Sequence, residues 1–361
     1  MTNNAFMQAA LAASQANKGQ TWPNPTVGCV LSDPISQTII ATGVTQKGGR
    51  PHAEMDALAK AGSAARGSHA YVTLEPCNHA SADKPCSCTD GLIQAGVKAV
   101  FIAMPDPDAR MAGQSIAKLK AAGIDVQVGM QADEAAFSHR GHISRTTQQR
   151  PFITLKIAHS QDGKIGIPNK RTAITGDASW QRTYAWRGQV DAVLVGITTA
   201  LVDDPQLTDR RHDAKHQPVR VVLDTQGRLP TTSVMAQTAH SIPLWVVSAQ
   251  LNKALEDAGA RMLVTPVNAN GHLDIHAAIS ALYDAGLSHI LVEAGATLAQ
   301  ALLDAKLVDE VLMIEGNVTL GENGIAAPAL PASMVLKLTE HVGPDIWRVY
   351  EAARFLESGI K

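Results

Sequence analysis

Apolar and polar residues follow two alternating patterns along this chain, and together they predict strands interleaved with helices. In the first half, short apolar runs typical of buried strands separate segments whose apolar residues recur about every 3.6 positions, as in amphipathic helices. One predicted strand contains Cys29, and the others span 38–45, 71–76, 98–103 and 124–129. The predicted helices span 3–18, 52–65, 87–97, 113–122 and 133–145. This alternation predicts an α/β layered fold with much parallel pairing.

A polar stretch at 144–151 has no apolar period and is the best candidate for a linker. The alternation then starts again. The strands predicted beyond it span 152–160, 190–196, 218–224, 243–248, 261–266, 289–295 and 309–316, and the helices span 177–188, 274–285 and 296–305. Because 361 residues exceed the usual size of one hydrophobic core, we expect two domains, at 1–146 and 150–361, without a repeat between them.

Composition and charge limit the function classes. A hydrophobic content of 45% with 18% charged residues is typical of a well-packed globule, and a net charge of −2 gives no general attraction to nucleic acid. No apolar run is long enough to span a membrane, and the N-terminal residues lack the pattern of an export signal. The cysteines, all in the first quarter of the chain, are Cys29, Cys77, Cys86 and Cys88. Clustered thiols in this context favour a metal site in a reducing cytoplasm over disulfides.

The residues best suited to bind a metal and to catalyse a reaction lie in the stretch HAE at 52–54, in EPC at 75–77 and at Cys86. One imidazole and two thiolates, from His52, Cys77 and Cys86, can hold zinc while a fourth position stays open for water, which is typical of a catalytic rather than a structural zinc. Glu54 is then the expected acid/base residue beside the metal. This combination is the described signature of zinc-dependent base deaminases.

The positions of these residues on the predicted elements fit a shared site. His52 and Glu54 lie at the first turn of a helix, Cys77 follows a strand, and Cys86 lies near a helix N-terminus, whose dipole favours a thiolate. Eight residues separate Cys77 from Cys86, whereas the usual deaminase spacing is two. The alternative is a closed structural site in which Cys88 is the fourth ligand. Cys29 is expected to be a small buried residue.

Two segments that follow strands in the second half give weaker indications of a binding site. The strand at 289–295 runs into a glycine turn and a helix, where the N–H groups of Gly295, Ala296 and Thr297 could bind a pyrophosphate. Every α/β protein has such connections between a strand and a helix, however. The segment 193–210 is expected to bring Thr199, Asp203 and Arg210 into one loop after a strand, where open sheets bind ligands. Turn and capping chemistry is the alternative for Asp203.

Several motifs occur in an order that resembles one family. They are NPTVGCV, HAE, TLEPCNH, the long Cys77–Cys86 spacing, RPFITLKIAHSQDGKI, LVGITTALVDDPQLTDR and LVEAGATL. The chain resembles the bifunctional diaminohydroxyphosphoribosylaminopyrimidine deaminase/5-amino-6-(5-phosphoribosylamino)uracil reductases of riboflavin biosynthesis, over about residues 3–355. The resemblance implies a cytidine-deaminase-like three-layer α/β/α domain followed by a dihydrofolate-reductase-like α/β domain. It also implies Zn²⁺ and NADPH as cofactors, a phosphoribosyl-pyrimidine substrate, and a homodimer or higher homo-oligomer with no nucleic-acid or membrane partner.

The resemblance also implies roles for individual residues. Those matching pyrimidine contacts of the deaminase are Asn24 and His79. Those matching NADP contacts are Ala158, Thr175, Thr199, Asp203, Thr225, Gly295, Ala296, Thr297 and Leu298. Those matching contacts to the reductase substrate are Lys156, Arg187, Leu207, Arg210 and Glu293. A guanidinium can bind a sugar phosphate through two hydrogen bonds, which favours Arg187 and Arg210. The alternatives are a surface lysine at Lys156 and a helix C-terminal cation at Arg187.

The chain departs from the family at three places. Thr45 replaces a usual histidine, Ser81-Ala82-Asp83-Lys84 replaces a Gly-[Arg/Lys]-Thr-Pro stretch, and Ala173 replaces a usual tryptophan. These changes predict weaker substrate binding, with Lys84 or Lys47 as substitutes for the phosphate contact, but continued deamination. Two alternatives stay open. One is a reductase with a scaffold zinc domain, and the other is an RNA base deaminase, which would need a basic stripe and the two-residue cysteine spacing.

Overall fold

The computed structural model describes residues 1–79 and 86–353, and the chain divides into two units. The first unit is Met1–Gln149 and the second is Arg150–Lys361. Across the described ranges, each helix is too short or too polar to cross a membrane.

The first unit interleaves short strands with helices. Its strands are β1 (Gly28–Asp33), β2 (Thr38–Val44), β3 (His69–Val72), β4 (Ala99–Ile102) and β5 (Asp125–Val128). Its helices are α1 (Asn3–Ser14), α2 (Ala53–Ala61), α3 (Cys88–Ala95), α4 (Gln114–Ala121), α5 (Ala132–Ser138) and α6 (Arg140–Thr147).

In the described part of this unit the strands form one sheet in the order β2-β1-β3-β4-β5. Strand β1 runs antiparallel to β2 and β3, whereas β3, β4 and β5 run parallel. The helices fall into two groups: α1 packs with α5, while α2, α3 and α4 pack in succession. The sheet between these groups gives the three-layer α/β/α arrangement.

Aromatic packing fixes the first helix to this sheet. Helix α1 is capped by Thr2 and buries one apolar face that includes Phe6. The ring of Phe6 lies 5.1 Å from that of Tyr71 in β3, and Tyr71 stacks on Phe101 in β4 at 4.5 Å. The Tyr71 hydroxyl donates to the Asn3 side chain at 2.7 Å, so its polar end is satisfied as well.

The second unit repeats the alternation on a larger scale. Its strands are β6 (Phe152–His159), β7 (Ala192–Gly196), β8 (Val219–Leu223), β9 (Leu244–Ser248), β10 (Arg261–Val264), β11 (His289–Glu293), β12 (Glu310–Glu315), β13 (Met334–Val342) and β14 (Asp345–Ala352). Its helices are α7 (Asp177–Arg187), α8 (Ile197–Asp203), α9 (Val234–Gln237), α10 (Lys253–Asp257), α11 (Ile275–Asp284) and α12 (Ala296–Asp304).

The described strands of this unit form a sheet in the order β10-β9-β8-β7-β11-β6-β12-β14-β13. Neighbours from β10 to β12 are parallel, and the final hairpin of β13 and β14 is antiparallel. The carboxyl ends of β7, β11 and β6 therefore lie side by side at one edge, where open α/β sheets bind ligands.

A buried ion pair holds the start of the second unit. The Arg150 guanidinium donates to both carboxylate oxygens of Asp309 at 2.6 Å, and Asp309 also accepts from the Ile153 N–H at 2.9 Å. Asp309 is fully buried, so the pair fixes where β6 enters the sheet.

Several predicted elements differ from the structure. The strand predicted at 71–76 is β3, Ala132–Thr147 forms two helices rather than one, and α6 extends into the predicted linker. The helix break falls at His139, whose ring is buried against the Thr73 hydroxyl at 3.1 Å. The segment predicted as a polar loop contains α8, and the pattern gave no signal for the β13–β14 hairpin.

Candidate active sites

The first candidate site begins at the N-terminus of α2. His52 is the residue that precedes this helix, in extended conformation, and Glu54 lies in its first turn. A Cβ on Gly43 of β2 would collide with the backbone of Ala53 and Ala57. Only glycine therefore permits α2 to pack this closely on the sheet. This packing fixes the position of His52 relative to the sheet.

Two cysteines approach His52 from other elements. Cys77 follows β3, and Cys88 is the first residue of α3, after the capping residue Ser87. The Cys88 N–H donates to the Cys77 sulfur at 3.4 Å, and the Thr89 N–H donates to the Cys77 carbonyl at 3.2 Å. The end of the loop is thus bonded to the start of the helix. Both sulfurs lie near a helix N-terminus, which favours thiolates.

These three residues have the geometry of a zinc site. His52 Nδ1 lies 3.5 Å from the Cys77 sulfur and 3.4 Å from the Cys88 sulfur. Zinc–nitrogen and zinc–sulfur bonds of about 2.0 and 2.3 Å at a tetrahedral angle would place nitrogen and sulfur about 3.5 Å apart. Among the described residues, the group that could hold a metal consists of His52, Cys77 and Cys88.

The structure brings His52 and Cys77 together as predicted and adds the Cys88 sulfur beside them, while Cys86 as the third ligand stays a prediction. The Cys86 sulfur lies 3.4 Å from the Ser87 carbonyl and is outside the group. Ser87 accepts from the Asp90 N–H at 3.0 Å and caps α3, so the helix begins at Cys88 and places its sulfur beside His52. The alternative of a closed site with Cys88 as a fourth ligand stays open, because the Cys88 sulfur lies 3.4 Å from His52 Nδ1.

Glu54 is buried beside the metal ligands, with 3% of its surface exposed. Cys29 lies in β1 and is fully buried, as predicted for a small apolar residue. Burial raises the pKa of the Cys29 thiol well above its ordinary value, and the charges of Glu54 and Asp56 act in the same direction. The Glu54 carboxyl group therefore lies in the interior between α2 and the sheet.

Asn24 lies against the loop that leads to His52. Its side-chain amide occupies the space where a Cβ on Gly49 would be, and Gly49 has φ +85°. A bulkier residue at position 49 would therefore displace Asn24 and strain the loop.

His79 is exposed, at the end of the first described range. Burial raises the pKa of Asp106, and the nearby His79 acts in the opposite direction. His79 thus lies on the side of the site that carries Asp106.

The departures from the family differ in how far the structure accounts for them. The Thr45 hydroxyl accepts from the Val27 N–H at 2.9 Å, and Thr45 is buried, so it has a structural role at the end of β2. Lys47 is exposed. Residues 81–84, including the proposed phosphate contact Lys84, lie outside the described residues.

Sequence reasoning missed the role of Glu75, in the EPC motif. Its buried carboxylate accepts from the N–H groups of Asp106, Gly113 and Ser115 at 3.0–3.2 Å and from the Ser115 hydroxyl at 2.7 Å. Glu75 therefore holds the loop between β4 and α4 against the strand end that carries Cys77. In the sequence, the available signal for this role was an acidic residue placed between a predicted buried strand and a cysteine.

The second candidate site is a cleft of about 610 Å³ at the carboxyl ends of the central strands of the second unit. Of the predicted residues, the described cleft lining includes Arg187, Thr199, Asp203, Leu207, Arg210 and Glu293. Residues that were not predicted also line it: Arg171, Thr172, Trp180, Tyr184, Val195, Asp204, Pro205, Gln206 and Val234. Ala173, the small residue at the family's tryptophan position, lies there too.

Charged residues at the base of this cleft form one connected group. Lys156 of β6 and Glu293 of β11 are partners in adjacent parallel strands, so their side chains leave the sheet together and pair at 3.6 Å. Arg187, at the end of α7, donates to both Glu293 oxygens at 2.7 and 3.1 Å and to the Thr208 carbonyl at 3.1 Å. These bonds fix Arg187 in the cleft lining, and its role as a substrate contact stays a prediction.

The electrostatics of this group follow from burial and pairing. Burial opposes the charge of Glu293, but Arg187 and Lys156 outweigh it and lower its pKa from 4.5 to about 2. Burial lowers the pKa of Lys156 below its ordinary value, although Glu293 acts in the opposite direction. Burial likewise raises the pKa of Asp203, against the effect of Arg171 and Lys156. The cleft thus holds an ionised carboxylate between two cations.

The predicted cofactor residues surround one side of this cleft. A Cβ on Gly295 would lie 3.9 Å from the Thr199 hydroxyl, and one on Gly196 would lie 3.5 Å from the Leu298 side chain. The start of α12, with Ala296 and Thr297, therefore faces the start of α8. Thr199 and Asp203 belong to α8 rather than to a loop, and only Arg210 follows in irregular backbone.

Of the predicted cofactor residues, only Thr199 and Asp203 are in the described lining of the cleft, and three others lie away from both this lining and the start of α12. Ala158 packs at the edge of the core of the second unit. Thr225 lies beyond β8, and its hydroxyl accepts from the Leu273 N–H at 3.3 Å. Thr175 lies just before α7 and is half-buried.

Comparisons with known proteins agree with this division. Residues 1–104 match the family described as the cytidine and deoxycytidylate deaminase zinc-binding region, and residues 151–346 match the RibD C-terminal domain. These matches confirm the expected order of a zinc-dependent deaminase followed by an NADPH-dependent reductase. The chain is therefore both a hydrolase and an oxidoreductase.

Relatives match over nearly the whole chain. The riboflavin biosynthesis protein RibD of Escherichia coli is 35% identical, with 96% of this chain and 98% of that protein covered. That of Aquifex aeolicus is 33% identical, with 94% of this chain and 96% of that protein covered.

Solved structures match over nearly the whole chain as well. The structure of Acinetobacter baumannii RibD, form 1, superposes with a TM-score of 0.84 at 33% identity, covering 97% of this chain and 98% of that chain. The Thermotoga maritima diaminohydroxyphosphoribosylaminopyrimidine deaminase/5-amino-6-(5-phosphoribosylamino)uracil reductase has a TM-score of 0.84 at 27% identity and the same coverage. The chain belongs to the RibD family of bifunctional deaminase/reductases of riboflavin biosynthesis.

Proposed function

We propose that residues 1–146 deaminate 2,5-diamino-6-(5-phosphoribosylamino)pyrimidin-4(3H)-one and that residues 150–361 then reduce its ribosyl group to ribityl. The observation that supports this most strongly is the convergence of His52, Cys77 and Cys88 with ligand atoms within 4.8 Å of one another. A hydrolytic site with an open ligand position and a separate reductase cleft suit two successive steps on one substrate.

In the deaminase unit, His52 and Cys77 would hold the zinc ion together with one further thiolate, that of Cys86, as the sequence predicts, or that of Cys88, which lies beside His52. A zinc ion in such a site activates water at neutral pH and supplies the nucleophile. Glu54, buried next to these residues, takes a proton from that water and gives it to the amino group that leaves as ammonia. General acid–base transfer of this kind contributes about 10²- to 10⁴-fold to a rate. Asn24 is proposed to contact the pyrimidine edge, because it is fixed against the loop that carries His52.

His79 is proposed as a second contact to this pyrimidine. It follows Cys77 by two residues and is exposed, so its ring is accessible to a ligand at the mouth of the site.

In the reductase unit, NADPH supplies the hydride. The residues proposed to bind it are Ala158, Thr175, Thr199, Asp203, Thr225, Gly295, Ala296, Thr297 and Leu298. Support comes from the start of α12, where the first backbone N–H groups of the helix face Thr199 and suit a pyrophosphate.

The other side of the cleft is proposed to bind the substrate. Arg210 is exposed there and suits the phosphate, and Leu207 lines the cleft beside it. Arg187 positions Glu293 through two hydrogen bonds. Lys156, whose pKa is lowered by burial, is the group best suited to pass a proton to the substrate as its sugar ring opens.

The experiment that tests this function uses the purified full chain loaded with zinc. We expect release of ammonia from the diaminopyrimidine substrate, followed by NADPH oxidation on the deaminated product. A chelator should abolish ammonia release and leave NADPH oxidation on the pre-deaminated substrate intact. NADPH oxidation without ammonia release at any zinc concentration would favour the reductase with a scaffold zinc domain. Ammonia release from RNA but not from the pyrimidine would favour the base-deaminase alternative.

We further propose a cytoplasmic homodimer or higher homo-oligomer. Free thiols at Cys29 and Cys86 support a reducing compartment. Exposed apolar side chains at Val335, Leu336 and Leu338 of β13 support association between copies. Sedimentation of the purified protein tests the assembly, and a monomer at micromolar concentration would contradict it.

A further inference from the structure

Two aromatic side chains form one wall of the reductase cleft. Trp180 and Tyr184 lie four residues apart on α7, on the same face of the helix. Their ring centroids are 5.9 Å apart at an interplanar angle of 32°, and both residues line the cleft while half-buried. A tryptophan that is left partly exposed inside a polar cleft offers an apolar face to a ligand.

Charged groups surround this aromatic wall. The Lys156 ammonium lies 5.3 Å from the centre of the Trp180 ring. The guanidinium groups of Arg187 and Arg210 each lie 5.6 Å from the centre of the Tyr184 ring. The wall thus adjoins both the Lys156–Glu293 pair and the exposed Arg210. A molecule with a flat ring, polar ring substituents and a phosphate would meet suitable groups along it.

The wall belongs to the substrate side of the cleft rather than to the cofactor side. The charged groups in contact with it are Lys156, Arg187 and Arg210, whereas the N–H groups suited to a pyrophosphate lie at Gly295, which faces Thr199. The nicotinamide must lie next to the sugar carbon that accepts the hydride, and this carbon adjoins the pyrimidine, so only one of the two rings can occupy the space against α7.

We propose that Trp180 and Tyr184 form the surface against which the pyrimidine ring of the reductase substrate packs, with Trp180 supplying the larger face. This rests on the proposed function. Stacking on an aromatic side chain is tolerant of ring substituents because every base has a π-face. The wall therefore holds the ring, while Arg210 and the Lys156–Glu293 pair recognise the polar ends.

The test compares substitutions of Trp180 in the purified full chain with pre-deaminated pyrimidine substrate and NADPH. Trp180→Leu should raise KM for the pyrimidine by roughly 5- to 100-fold, the range expected for loss of one stacked base. Trp180→Phe keeps an aromatic face and should recover most of that loss. The Kd of NADPH should be unchanged. Trp186→Leu, which removes an indole from the same helix outside the described cleft lining, is the matched control and should leave this KM unchanged.

A ligand without the ring separates stacking from a general distortion of the cleft. Ribose 5-phosphate carries the sugar phosphate alone, so Trp180→Leu should not alter its inhibition constant. An unchanged KM for the pyrimidine in Trp180→Leu would overturn the proposal. So would a loss of NADPH affinity that exceeds the loss for the pyrimidine, or equal weakening of ribose 5-phosphate. Failure of the wild-type chain to oxidise NADPH would instead refute the proposed function.

Discussion

The Arg187–Glu293 pair makes the reductase cleft sensitive to the loss of a single charge. Both side chains are mostly buried, with 5% of Arg187 and 11% of Glu293 exposed. Replacing Arg187 by Met would leave the Glu293 carboxylate with Lys156 at 3.6 Å as its remaining ion pair. Removing one partner of a buried pair typically costs about 3–5 kcal/mol. Because Lys156 remains, we expect the lower end of this range for the second unit.

The pKa of Glu293 reports the net effect of burial, Arg187 and Lys156 on the same carboxylate. Its fall from 4.5 to about 2 corresponds to about 3 kcal/mol, at roughly 1.4 kcal/mol per pKa unit. Since the folded-state pKa lies below that of the unfolded chain, this stabilisation is fully present above pH 4.5 and is lost as pH falls towards 2. The stability gap between wild type and Glu293→Gln should therefore close over that pH window.

Tryptophan fluorescence can follow the second unit by itself. Of the five tryptophans, only Trp22 lies in the first unit, so Trp22→Phe provides a background in which urea unfolding reports the second unit. Arg182→Met on the same helix removes a partly exposed pair with Glu340 and should cost clearly less, as expected for surface pairs. A loss below about 1 kcal/mol for Arg187→Met, or a stability gap between wild type and Glu293→Gln that does not narrow as pH falls from 4.5 towards 2, would refute the reasoning.

Further predictions concern the deaminase unit. Glu54→Gln should reduce ammonia release by about 10²- to 10⁴-fold, because the proton carrier is lost, while zinc content and NADPH oxidation stay at wild-type levels; unchanged ammonia release would remove Glu54 from its role. Glu75→Leu should leave the N–H groups of the loop between β4 and α4 without their acceptor, each at a cost of about 1–3 kcal/mol. We expect a lower melting temperature of the first unit and faster proteolysis within this loop, and an unaltered melting temperature would contradict the role given to Glu75.

Much of the fold followed from apolar patterning. The strands around the two sites, and the helices that begin at Ala53, Asp177 and Ala296, appear where the patterns predicted them. The errors arise where tertiary contacts override the local pattern. His139 interrupts the helix predicted at 133–145, and burial lowers its pKa from 6.5 to about 3, so its ring is held neutral against Thr73. No local periodicity contains that contact.

The site residues, too, could be predicted only where they do not depend on tertiary contacts. The zinc pattern could identify His52 and Cys77, but the position of Cys88 beside them depends on where α3 begins, behind its Ser87 cap. The Lys156–Glu293 pair depends on the register between β6 and β11, strands far apart in the chain. The aromatic wall depends on which face of α7 meets the cleft, and the surrounding sheet sets that face.

The ligand set of the zinc site is the central claim, and the zinc content of two single variants tests it most directly. Cys88→Ser and Cys86→Ser would be purified side by side and measured by elemental analysis, with NADPH oxidation as the check that each chain is folded. A structural zinc site contributes about 10–16 kcal/mol over all its ligands, so loss of one thiolate should weaken binding by orders of magnitude. We predict that only one of the two variants loses its zinc and its ammonia release, because an open catalytic site needs one thiolate beside that of Cys77. Loss of zinc from both variants would indicate a closed site with four protein ligands and would contradict the account.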